Sequence, residues 1–294
     1  MKKIVINEEF LQQIETLQTI LKNNISGMFG GNRKSKKFGS SCEFADYRNY
    51  VPGDDITKID WNAYARFDKL YMKLFLDERQ MHTKIYIDAS RSMDHGEGGK
   101  AEQSVKLAAF IAYLSVCEMD RVSVYVIKDK KVHEVISSVV GKDAYFESVS
   151  KLNDIVFDGD SFISDAIVPT SVGYGVGMSV IISDFLTENN FDDAIDILTD
   201  KKRDVLCVQV LSIDELNPDI RGKVHLIDSE DEEKFYHKNV TRDIAKAYRD
   251  ALDYVINRVK NYCEARSAAY LLLSAEMSLA EIFMDKLASM EVVK

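Results

Sequence analysis

The sequence predicts an α/β protein with a doubly wound, mostly parallel sheet of Rossmann-type strand order, preceded by an N-terminal extension of helix and loop. Two observations carry that expectation. From about residue 80, strand-like segments alternate with segments of helical apolar spacing, the pattern of a layered α/β architecture. Two of the strand segments, GMSVIISD (177–184) and DVLCVQVLS (204–212), are nearly continuous apolar runs, as strands covered on both faces should be. The expected division is an extension over 1–80 and a sheet domain over 81–294.

Taken in order, Phe10, Leu11, Ile14, Leu17, Ile20 and Leu21 fall on one face at helical spacing and predict an amphipathic helix docked on the body. ISGMFGGNRKSKKFGSS (25–41) surrounds the basic residues Arg33, Lys34, Lys36 and Lys37 with glycines, and predicts an exposed loop without regular structure. KIYID (84–88) is the first strand of the sheet, and KAEQSVKLAAFIAYLSVCEM (100–119) the long helix after it. RVSVYVIK (121–128) and KVHEVIS (131–137) form a hairpin across Asp129 and Lys130, followed by a short helix near 142–151. A helix over 190–200 separates the two apolar strands, and AAYLLLS (268–274) closes the sheet. Residues 217–236 read as an insertion of short strands, and apolar spacing predicts helices over 241–265 and 278–290.

A chain of 294 residues with 46% hydrophobic and 29% charged side chains supports one large core with an appendage. No apolar run approaches the roughly 20 residues of a membrane-spanning helix, and the first fifteen residues carry acids and glutamines where a signal peptide is greasy. A cytoplasmic location without membrane insertion is therefore expected. Cys42, Cys117, Cys207 and Cys263 lie far apart, which favours reduced thiols over disulfides or a sulfur-ligated metal. The net charge is −10, and the first forty residues hold seven basic and three acidic side chains, so the rest carries −14. Such an acidic body disfavours nucleic-acid partners.

Chemistry concentrates at one rim. Ligands of an open parallel sheet collect outside the carboxyl ends of its strands, where the strand order reverses, and Asp88 ends the first strand there. Ser90 and Ser92 follow it, and GDS (159–161) and IISD (181–184) bring Ser161 and Asp184 to the same rim. Two carboxylates and three hydroxyls without imidazole or thiolate suit a hard cation, magnesium first and manganese or calcium as alternatives. The competing reading is an Asp and two serines that merely cap the next turn. DASRS resembles the metal-ion-dependent adhesion site of von Willebrand factor A domains, which combines DxSxS, a later threonine and an aspartate after a later strand. The resemblance implies that Ser90 and Ser92 bind magnesium directly, that Asp88 and Asp184 act largely through water, and that Ser161 replaces the threonine.

SCEFADYRNYVPGDDITKIDWNAYARFDKLYMKLFLDE (41–78) closely resembles the signature of the family known as domain of unknown function 58, which precedes a von Willebrand A-like domain. The resemblance implies a short member without the N-terminal membrane helices of longer ones. It also implies a MoxR-type AAA+ ATPase as partner, and a role as adaptor or co-chaperone. In physical terms, Pro52 and Gly53 favour a turn, and Asp54, Asp55 and Asp60 face Arg48, Lys58 and Arg66 as possible ion pairs around Trp61. The segment is either a scaffold clasp or a partner-binding face.

Enzyme signatures are weak. DHGEGGKA (94–101) imitates a phosphate loop, but Asp94 replaces the first glycine and Ala101 the metal-binding hydroxyl. The five histidines show no HExxH spacing, there is no GxSxG elbow, and DASRS lacks the second aspartate of a DxD phosphoryl-transfer site. The expectation is a non-catalytic, magnesium-dependent protein-binding module that accepts an acidic side chain from its partner. A metal-dependent hydrolase, of phosphatase or nuclease type and using the same carboxylates, is the alternative, and a metal-free structural role the third reading.

Overall fold

The computed structural model describes residues 6–24, 35–38, 44–77, 80–94, 99–170, 173, 177–187, 189–218, 222–227, 235–240 and 242–282. The chain divides into two compact units, one of residues 1–23 with 81–294 and one of residues 24–80. The N-terminal helix groups with the sheet domain. In this helix, α1 (Glu8–Asn24), Phe10, Ile14 and Gln18 are buried. Its lead-in is clamped by Asn153, whose Oδ1 accepts from Ile6 N at 2.6 Å and whose Nδ2 donates to Ile6 O at 3.3 Å.

The smaller unit holds β1 (Ser35–Phe38), β2 (Phe44–Asn49), α2 (Trp61–Phe67) and β3 (Tyr71–Asp77), with β3 central in an antiparallel sheet of order β1-β3-β2. Ser35–Phe38 is thus a strand, although a glycine-rich basic loop is expected over 25–41. Backbone pairing with the edge of β3 decides the conformation there, a long-range term that local composition does not report. Arg33, Lys34 and the flanking glycines lie outside the described residues.

The larger unit is built on β4 (His82–Asp88), α3 (Lys100–Cys117), β5 (Arg121–Lys128), β6 (Lys131–Val140), α4 (Lys142–Ser148), α5 (Ile163–Ile167), β7 (Met178–Ser183), α6 (Asp192–Asp200) and β8 (Asp204–Leu211). It continues through α7 (Ile213–Leu216), the hairpin of β9 (Gly222–Ile227) and β10 (Phe235–Val240), α8 (Arg242–Ala265), β11 (Ala269–Ser274) and α9 (Leu279–Glu281). Beyond Ile282 the expected helix over 278–290 lies outside the described residues, as does the acidic run 228–233. The sheet order is β11-β8-β7-β4-β5-β6, every pair parallel except β5 with β6. Counted within the sheet and read from the β6 edge, this is the order 3-2-1-4-5-6, in which the chain winds outward in both directions from β4.

Helices cover both faces, which is why β4, β7 and β8 are buried almost throughout. Tyr86, Ile181 and Cys207 point to one face and meet Phe191 and Ile195 of the α6 region and Val259 and Cys263 of α8. Ile85 and Ile87 alternate onto the other, where α3 lies against β4, β5, β7 and β8. The two middle strands, β4 and β7, end at the reversal of winding, so Asp88 and Asp184 come side by side. Among the described residues no helix is long and apolar enough to cross a membrane.

Candidate functional site

Asp88 is the last residue of β4, in register with Ile127 of β5, and Ala89 N donates to Ile127 O at 2.9 Å before the chain turns away. The turn runs over the sheet end because its backbone pairs with the loop before α5: Gly159 N donates to Ala89 O at 3.1 Å and Arg91 N to Gly159 O at 2.9 Å. That pairing carries Ser161 to Asp88. Oδ2 of Asp88 accepts from Ser161 Oγ at 2.7 Å and from Ser183 Oγ at 2.7 Å, while Oδ1 accepts from Ser90 N at 3.1 Å. Ser90 Oγ and Ser92 Oγ lie 3.1 Å apart.

Asp184 follows β7 directly. Its Oδ1 accepts from Leu186 N at 3.1 Å, and its main-chain oxygen from Gln209 Nε2 at 2.7 Å. The next residue, Phe185, is buried in the left-handed region at φ 53, where a residue with a Cβ is strained. Phe185 N donates to Ser183 Oγ at 3.0 Å, so a single hydroxyl braces the strained turn and binds Asp88. Asp184 Oδ2 accepts from Lys100 Nζ at 2.9 Å, and the same ammonium donates to Glu215 Oε1 at 2.6 Å.

All five predicted donors converge: Asp88, Ser90, Ser92, Ser161 and Asp184 are each at least nine-tenths buried. They lie deeper than an open rim loop would place them, because the segments after β4 and β7 and the loop before α5 close over the sheet end. Asp88 has only neutral donors among its described partners. Burial pushes its carboxyl up, the charge of Asp184 pushes it further, and the hydroxyls of Ser183 and Ser161 with Ser90 N act in the opposite direction. For Lys100 burial works against the charge, but Asp184 and Glu215 outweigh it and hold the ammonium above its ordinary value.

The donor set fits a hard divalent cation. Every donor is oxygen, as such a cation prefers, and the Ser90 and Ser92 hydroxyls lie within hydrogen-bond distance of each other at 3.1 Å. The buried Asp88 carboxylate is the charge such a cation would balance. Among the described residues no cluster of three or more His, Cys, Asp or Glu is positioned for a metal, so a cation here depends on two carboxylates and hydroxyls.

Sequence reasoning missed Ser183, Lys100, Glu215 and Gln209. Ser183 was visible inside IISD. Lys100 left a fainter trace, a cation at the first position of a helix, where the macrodipole favours an anion.

The family signature behaves partly as expected. Arg48 grips Asp54 through two bonds of 2.6 and 2.7 Å, closing the turn in which Asp54 N donates to Val51 O and Gly53 takes φ 107 after Pro52. Asp55 caps the short turn Ile56–Lys58 through Thr57. Asp60 does not join an ion-pair ring around Trp61. It caps α2, accepts from Tyr47 Oη at 2.7 Å and pairs with Lys73 at 3.2 Å. The Tyr47 hydroxyl, ahead of Lys73 and the cap amides, holds its carboxyl at about 2. Trp61 is 60% exposed, not enclosed, and Arg66 is exposed in the last turn of α2. The Lys58 side chain lies outside the described residues.

A doubly wound domain with strand order 3-2-1-4-5-6, an antiparallel third strand and an acid-and-hydroxyl cluster at the reversal of winding is of von Willebrand A-like type. The chain belongs to the family described as protein of unknown function DUF58, whose family model matches residues 46–254. Among curated proteins it is similar to the uncharacterized protein Rv1480 of Mycobacterium tuberculosis, with 25% identity over 224 residues, 74% of this chain and 70% of that protein. The uncharacterized protein Mb1516 of Mycobacterium bovis matches with the same figures. Among solved structures it is similar to an aerotolerance-related membrane protein from Bacteroides fragilis, with 14% identity, 71% of this chain and 100% of that chain covered, and a TM-score of 0.40. The SpRpn10 VWA domain matches at 9% identity over 69% of this chain and 92% of that one, with a TM-score of 0.38.

Proposed function

We propose that the protein is a non-catalytic binding module whose β4–β7 rim holds magnesium and uses it to capture an acidic side chain of a protein partner. The observation that carries this reading is Asp88, a fully buried carboxylate that accepts from the Ser161 and Ser183 hydroxyls and from Ser90 N, all neutral, with the paired Ser90 and Ser92 hydroxyls on the turn that follows it. When bound, the ion would supply a divalent charge and coordination positions beyond those the protein fills. Ser90, Ser92 and Ser161 would be direct ligands, while Asp88 and Asp184 hold the hydroxyls and ordered waters in place. The family resemblance supports a MoxR-type AAA+ ATPase as the partner and a role as adaptor or co-chaperone. The exposed Trp61 in the signature segment supports a second contact region for the same partner.

The test is capture of a purified MoxR-type ATPase on immobilised protein, in magnesium and in chelator, with wild type and Asp184→Ala. Capture should occur with wild type in magnesium and fail in the other arms. Equal recovery in all arms would remove the metal from the mechanism and leave the 41–78 signature as the binding face.

A further inference from the structure

Lys100 is out of place by every local rule. It opens α3, where the helix dipole repels a cation, Gly99 before it provides no side-chain cap, and only 2% of its side chain is exposed. Its position is compensated by two acids far away in sequence, Asp184 at 2.9 Å and Glu215 at 2.6 Å. Glu215 is itself fixed: Oε2 accepts from Ser212 N at 2.7 Å, completing a capping box at the start of α7. The row Asp184, Lys100, Glu215 is therefore a rigid alternation of charge, with its inner end in the candidate cation site and its outer end one quarter exposed.

We infer that Lys100 is a tethered counter-cation that sets the divalent-metal affinity of the site, by competing with the metal for Asp184 under the control of Glu215. This rests on the metal-site reading above and goes beyond it by assigning a tuning role to two residues outside the five-donor set. A divalent ion coordinated near Asp184 shares that carboxylate with an ammonium in a buried, weakly screened setting, where like charges a few ångströms apart repel strongly. Removing the ammonium frees Asp184 and makes the pocket one unit more negative. Removing the charge of Glu215 has the opposite effect: Lys100 loses its outer partner, leans wholly on Asp184, and opposes the metal more.

The two substitutions thus move metal affinity in opposite directions while both weaken the fold, a signature that mere loss of packing cannot produce. The experiment is calorimetric titration of magnesium and manganese into wild type, Lys100→Met and Glu215→Gln, with thermal melts of each in metal and in chelator. Lys100→Met should bind at least tenfold more tightly than wild type and show the larger metal-dependent rise in Tm. Glu215→Gln should bind severalfold more weakly, with little or no metal-dependent rise. Metal binding that is equal in all three proteins, or weaker in both variants, overturns the role of Lys100 and leaves the metal site intact. Absence of binding in all three overturns the metal site and this inference together.

Discussion

His82, at the start of β4 on the sheet end away from Asp88, shows how one half-buried side chain writes itself into the stability of the whole. Burial first, then the charges of Lys84, Arg203 and Arg121, lowers its imidazole from the ordinary 6.5 to about 4, while Nε2 stays within 3.0 Å of Ser123 Oγ. The imidazole is neutral in the folded protein where the unfolded chain already takes a proton. The unfolded state therefore binds more protons between those two values, and the contribution is complete above 6.5 and lost as pH falls toward 4. Thermal melts between pH 6.5 and about pH 5 should show a larger fall in Tm for wild type than for His82→Gln, in a window above most carboxylate titrations. Parallel falls would contradict the assignment. At this same scale the sequence was legible where chemistry is local and opaque where it is not. DASRS could be placed at the sheet rim because spacing after a strand is a local fact. Lys100 reaches partners 84 and 115 residues away, and Asp60 reaches Tyr47 and Lys73 across the small sheet while Trp61 stays exposed. Neither outcome has a local signature.

Between residue and fold, the loop before α5 is the element that assembles the site. Gly159 is pressed so closely on the β5–β6 turn that an added Cβ would lie 2.8 Å from Lys128 Cγ, 3.2 Å from Asp129 N and 3.3 Å from Lys128 Cα. Two of those atoms are backbone and cannot swing aside, so Gly159→Ala should displace the segment that pairs with Ala89 and Arg91 and withdraw Ser161 from Asp88. The expected result is a destabilisation of about 1–3 kcal/mol in denaturant unfolding, accompanied by weaker magnesium binding. Wild-type affinity in this variant would mean that Ser161 is not held by the loop contact. The central strands were readable because burial on both faces leaves unbroken apolar runs, and the β5–β6 hairpin because Asp129 takes the left-handed conformation its turn requires, at φ 55. Ser35–Phe38 was not, since its strand state is conferred by β3.

For the molecule as a whole, topology does most of the functional work. Winding outward from β4 in both directions places the ends of β4 and β7 together; the layered architecture was legible from the alternation of apolar runs and helices, and the strand order is what the von Willebrand A resemblance implies. The docking of α1 on the body was legible in its apolar face, whereas the clamp on Ile6 was not, because Asn153 makes it from 147 residues away. A cation at the junction of β4 and β7 is the centre of the proposed function, and calorimetric titration of magnesium into wild type and Asp88→Asn shows whether it binds there. The amide keeps the shape of the buried side chain and an oxygen for the Ser161 and Ser183 hydroxyls while removing its charge, so folding is expected to survive. One magnesium should bind saturably per wild-type chain and be lost in a folded Asp88→Asn. A folded wild type that takes up no magnesium, or an Asp88→Asn that binds it with unchanged affinity, would contradict the proposed function.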